Sequence, residues 1–121
     1  MVGANILQIP LLNAESADET TSEAIDCRRY SKIAIFFIGV DTISSGVVTI
    51  EEATFNANPQ SGPLGYTGTW STIQTYTATG VSGGKQEAVH LQVSCYAWIR
   101  TRISTAIGGG GNISSVLHAL E

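Results

Sequence analysis

The sequence predicts an all-β fold: about eight antiparallel strands in a β-sandwich, most simply a jelly roll. Three observations lead there. Thr, Ser and Gly supply nearly a third of the chain and sit beside many Ile and Val, whereas charged helix formers are scarce, with Lys appearing twice. Apolar residues alternate in short runs with the period of a strand. Clusters of Gly, Asn, Pro and Ser punctuate those runs, as strand-to-strand turns require. Eight short strands in sequence suit a double-sheet jelly roll.

The elements follow in order. Ile6 to Leu12 reads as a short apolar strand or extended arm, and Pro10 confines it to an edge because it cannot donate a ladder hydrogen bond. Asn13 to Asp26 carries five of the ten acids: Glu15, Asp18, Glu19, Glu23 and Asp26. It reads as an exposed loop leading into a strand near Ser22 to Arg28. Ser31 to Val40 is the strongest strand, with Ile33, Ile35 and Phe37 on one face and Ala34, Phe36 and Ile38 on the other. A strand apolar on both faces is covered on both, so it is central or meets another subunit. Asp41 to Gly46 turns the chain into a strand at Val47 to Thr54. Phe55 to Gly68 is a long loop of turn residues, Thr69 to Thr79 a Thr- and Tyr-rich strand, and Gly80 to Gly84 a tight turn. Gln86 to Val93 alternates cleanly, with Val89 and Leu91 inward and His90 outward. Cys95 to Ile107 is extended after a bend near Ser94 to Tyr96. Gly108 to Gly111 turns into the last strand, Ile113 to Leu120.

Length and composition set the limits on function. The 121 residues make one domain, 1–121, with residues 1–12 as a possible N-terminal arm. At 43% apolar and 13% charged, the chain is too apolar for intrinsic disorder. No apolar run reaches the ~18 residues of a membrane helix, and the N-terminus lacks the basic region of a secretory signal. A net charge of −4 argues against nucleic acid as the main partner. Low charge on a small chain implies that a partner covers part of its surface.

Catalytic and metal-binding signatures fail on context. Gly80-Val81-Ser82-Gly83-Gly84 matches G-x-S-x-G, but a nucleophile elbow needs a strand-to-helix turn with an acid and a His downstream. No helix and no Asp follow, so a glycine hairpin tip is the better reading. His90 and His118 are the only histidines, and with Cys27 and Cys95 they could complete a metal set only if the fold gathered them. Cys27 and Cys95 are read as buried free thiols by default, although a disulfide between them is not decidable from spacing. Glu51 and Glu52 occupy opposite faces of a strand and cannot act on one substrate. The acidic stretch lacks the spacing of a calcium loop. Gly108 to Gly111 has no helix behind it to cradle phosphate. The expectation is a non-enzymatic protein without cofactor or metal.

One cluster stands out. Tyr96, Trp98, Arg100 and Arg102 share a strand face. Such side chains serve as interface anchors, stack bases or sugars, or pack across strands with Arg stems on the rings. A second candidate is the arm: Ile6, Leu7, Ile9, Pro10 and Leu11 could reach a neighbouring subunit by strand addition.

Three blocks carry a resemblance. SKIAIFFIGVDTISSGVVTIEEA (Ser31 to Ala53), AVHLQV (Ala88 to Val93) and YAWIRTRISTAIGGGGNISSVL (Tyr96 to Leu117) resemble small virion proteins of tailed bacteriophages. The nearest type is the capsid decoration, or cement, protein. The resemblance implies a small β-sandwich that binds the outer capsid surface in many copies and joins neighbouring subunits of the major capsid protein. It also implies a virion location and a homo-oligomer, dimer or trimer. The competing expectation is a tail or fibre module that binds a receptor glycan through Trp98 and Arg100.

Overall fold

The computed structural model describes residues 6–53, 70–91 and 98–120. Among them are eight strands: β1 (Ile6–Pro10), β2 (Ile25–Asp26), β3 (Lys32–Val40), β4 (Ser45–Ala53), β5 (Trp70–Thr77), β6 (Gln86–Leu91), β7 (Trp98–Gly108) and β8 (Asn112–Leu120). One 3-10 turn, Ala78–Val81, links β5 to β6. The strands form two four-stranded sheets in the orders β1-β8-β3-β6 and β2-β7-β4-β5. All pairings are antiparallel.

This order is that of a jelly roll. First pairs with last, second with seventh, third with sixth and fourth with fifth. A long hairpin wound across two layers gives that nesting and two Greek keys. The two remaining contacts, β3 with β8 and β4 with β7, close each sheet.

Alternation explains the core. In β3, Ile33, Ile35 and Phe37 point inward and are buried. Ile113, Leu117 and Ala119 of β8 meet them from the same sheet; Val48 and Ile50 of β4 and Ile99 and Ile103 of β7 meet them from the other. Tyr76 stacks on Phe37, with ring centroids 4.4 Å apart and planes 6° from parallel. Its hydroxyl donates to Glu87 Oε1 at 2.6 Å, so the polar tip of a core ring is satisfied at the rim. Burial, aided by that bond, raises the Tyr76 phenol above its ordinary pKa.

A polar link also crosses the core. Ser115 and Thr101 are fully buried on facing sheets, and their hydroxyls lie 2.8 Å apart. Ser115 Oγ also accepts the Leu12 N–H at 2.9 Å. Cys27 is a buried free thiol, and desolvation pushes its pKa up to about 12. Cys95 lies outside the described residues, as does the Phe55 to Gly68 loop.

Of the two readings of Ile6 to Leu12, the edge strand is the one observed: residues 6–10 pair with β8 of their own chain and do not extend as a free arm. Leu7, Ile9 and Leu11 pack on the core, while Pro10 occupies the edge that its missing donor demands. The strand expected near Ser22 to Arg28 shortens to Ile25–Asp26. The residues before it follow β7 through separate bonds, such as Ser22 N–H to the Thr101 carbonyl at 2.9 Å. Glu19 has a positive φ of 67°, which breaks a continuous ladder there.

Candidate functional site

Each sheet has an outer face, and the two differ in chemistry. On the second sheet, Trp98, Arg100 and Arg102 of β7 alternate outward, opposite Ala53, Glu51 and Thr49 of β4. Glu51 is the hub. Arg100 Nε donates to its Oε1 at 2.8 Å and Arg102 Nε to its Oε2 at 3.1 Å. The Glu51 side chain is only 7% exposed, and each arginine is 24% exposed. Arg102 reaches on to Glu19 at 3.0 Å. The Arg100 guanidinium lies over the Trp70 ring, 4.0 Å from its centroid, and that of Arg28 lies 5.8 Å from the Trp98 ring. Trp98 is 3% exposed and packs with Ala53 and Trp70. Further along, Thr49 donates to Ser104 at 2.8 Å, and Ser104 donates to the Val47 carbonyl at 3.3 Å.

Three residues of the aromatic–arginine cluster are therefore brought together as expected, and the fourth, Tyr96, lies outside the described residues. Their chemistry is turned inward. A ring that is 3% exposed offers no stacking platform to a sugar or base. A guanidinium bound to a buried carboxylate has already used its best donors. The sequence concealed this because Glu51 becomes the partner of Arg100 only through the β4–β7 register.

The outer face of the first sheet is the opposite case. Phe36 pairs with Val116, Ala34 with His118 and Ile38 with Ser114 across β3 and β8. On the flanks, β6 adds Ala88 and His90, and β1 adds Ile6 and Pro10. Ile6 is 66% and Val40 41% exposed. Phe36 lies against the His118 ring at 4.1 Å and 30°. A shallow recess of about 260 Å³ opens between Ile6, Ala34, Phe36, His118 and Leu120. Lys32 and the two histidines are the ionisable groups of this face among the described residues; no carboxylate joins them. The two-sided apolar pattern of Ser31 to Val40 signals this face in the sequence, but its extent depends on strands far along the chain.

The remaining motifs have structural roles. Ser82 Oγ accepts the Ile43 N–H at 2.8 Å and so ties the 3-10 turn to the β3–β4 connection. That turn sits on Gly39, where a Cβ would come 2.0 Å from the Val81 carbonyl oxygen. Gly109 and Gly110 have φ of 99° and 90°, which makes the glycine run a tight turn. Asp26 accepts two bonds from the Arg28 side chain, at 2.8 and 2.6 Å, and these hold its carboxyl below the ordinary value of 3.8. No three His, Cys, Asp or Glu side chains converge on a metal position among the described residues. No helix there is long and apolar enough to cross a membrane.

No family model and no curated protein matches the chain. Among solved structures, a chain from Bacillus endospore appendages, described as a family of disulfide-linked pili, is similar to this one at 19% identity. The match covers 99% of this chain and 93% of that one with a TM-score of 0.39, a likeness too remote to transfer any property.

Proposed function

We propose that this chain is a non-enzymatic structural protein that acts by contact with other protein surfaces. Its setting in this reading is the outside of a phage capsid, where many copies cement neighbouring subunits of the major capsid protein. The observation that carries the reading is the outward apolar face centred on Phe36 and Val116, on a chain whose charged face is satisfied internally. Exposed apolar patches of this kind mark interaction sites. The three-block resemblance supplies the capsid setting, and repeated weak contacts on a lattice would supply the affinity. The alternative, a tail or fibre module reading a glycan through Trp98 and Arg100, draws less support because the Trp98 ring is buried.

Sedimentation with phage heads that lack a decoration layer tests the proposal. The expected result is saturable binding at a fixed copy number per capsomer, with heads that better resist heat. Absence of binding removes the cement role. Binding to a glycan array that is lost in Arg100→Ala would establish the alternative.

A further inference from the structure

We propose that the recess at the Lys32 end of the first sheet's outer face receives an aromatic side chain beside a carboxylate, both presented by the surface of the partner protein. The inference rests on the contact reading above and names what the contacted surface offers.

Register builds the recess. One row of outward residues crosses the whole sheet: Gln8 on β1, His118 on β8, Ala34 on β3 and His90 on β6. The next row, toward the start of β3, holds Ile6, Leu120 and Lys32. Ala34 is the floor. It is 8% exposed although it points outward, because larger side chains rise around it. Phe36 and His118 make one wall of two rings, with centroids 4.1 Å apart and planes 30° from parallel. Ile6 and Leu120 make the aliphatic side, and Ile6 is 66% exposed until something covers it.

Size and shape select a side chain. The recess holds about 260 Å³, below the ~300 Å³ at which pockets for free small molecules begin. A hollow this shallow cannot enclose a free ligand. It suits an anchor that a partner's own backbone already holds in place, which lowers the ordering cost of binding. An aromatic ring matches it, because rings pack offset or edge-on against other rings.

Charge selects what stands beside the ring. Lys32 lines the recess, is exposed and has no ion pair among the described residues. Asp26, the acid that precedes β3, is engaged by Arg28. Asp41 lies past the far end of β3, roughly 30 Å from Lys32 at about 3.3 Å per residue. The histidines bring N–H donors and no negative charge. On a chain with a net charge of −4, this end of the face therefore has the opposite sign. A carboxylate next to the inserted ring meets Lys32, whereas a cation there meets like charge.

The test titrates the purified chain with blocked peptides and follows its backbone amides by NMR. The probe is acetyl-Gly-Phe-Asp-Gly-amide; the controls replace Asp by Lys or Phe by Ala. The expected result is saturable shifts at Ala34, Phe36, His90 and His118 with a low-millimolar Kd for the Phe-Asp peptide, and weaker binding of both controls. Lys32→Glu weakens the Phe-Asp peptide roughly threefold and reverses the order of Phe-Asp and Phe-Lys. Ala34→Leu fills the floor and abolishes binding of both, with an unchanged circular dichroism spectrum. If Ala34→Leu fails to fold, the charge reversal in Lys32→Glu decides alone. Shifts confined to other parts of the chain, no saturation, or equal affinity for Phe-Asp and Phe-Lys overturns the proposal. So does tighter binding of free 3-phenylpropionate than of the peptide, which would make the recess a small-molecule site. Head sedimentation separates this inference from the cement reading. Peptide binding without head binding overturns the cement role alone. Head binding unchanged in both Lys32→Glu and Ala34→Leu overturns the recess assignment alone.

Discussion

The two outer faces of this sandwich hold residues of similar promise and opposite fate. The face of β7 and β4 carries two tryptophans' worth of ring contact and two arginines, the composition of an interface hot spot. Glu51 closes it: both guanidiniums bind that one buried carboxylate, and Trp70 lies beneath Arg100 and packs against Trp98. The face of β3 and β8 carries Phe36, Ile38 and Val116, which have no such internal partner among the described residues beyond their own neighbours. The difference teaches that residue type does not locate an interface. What matters is whether the side chains have already found partners within the chain.

The largest test of that contrast is Glu51→Ala. It leaves the three-quarters-buried Arg100 without its carboxylate and Arg102 with only the exposed Glu19, and loss of one partner from a buried pair costs about 3 kcal/mol. Urea unfolding should show that loss, while binding to phage heads survives in the folded range. Trp70→Ala comes next. It removes the ring under Arg100 and packing against Trp98, together worth about 2 kcal/mol, again without effect on head binding. Phe36→Lys should invert the pattern. Its cost to the stability of the chain is about 1 kcal/mol, since the ring is only half-buried, yet it should abolish binding to phage heads.

The smallest effect is a pH dependence at the edge of the second sheet. Arg28 holds the Asp26 carboxyl below its ordinary pKa of 3.8. A depressed folded-state pKa adds stability above the unfolded value, and that stability is lost as pH falls through the lowered one. Thermal unfolding between pH 5 and 2 should therefore fall less steeply in Asp26→Asn than in the native chain. An identical slope would mean that the exposed pair contributes nothing.

Much of the fold was legible because period and punctuation are local. Ile33, Ile35 and Phe37 declared the inner face of β3, Val89 and Leu91 that of β6, and the glycine strings marked turns that the structure keeps. Pro10 correctly assigned its strand to an edge, but not to which sheet. That β1 docks on β8 of its own chain is a pairing across almost the whole sequence, and no local signal carries it. The same gap explains the site. Glu51 read as an unremarkable half of an acidic pair, because its meaning comes from Arg100 and Arg102 on a strand met much later. The outer face of β3 was visible as an excess of apolar residues, while its extent rests on the β3–β8 register.

The nested pairing has a consequence for how the molecule is made. β8 lies between β1 and β3, so two of the three junctions in the first sheet depend on it. Contacts of such high sequence separation fold slowly, because a long loop must close before any of them forms. During synthesis β1 and β3 emerge first and wait, with apolar side chains on both faces of β3 and no neighbour between them. Such intermediates are prone to aggregate, which makes dwell time on the ribosome a hazard for this chain. The first strand finds its place only after the eighth has been delivered.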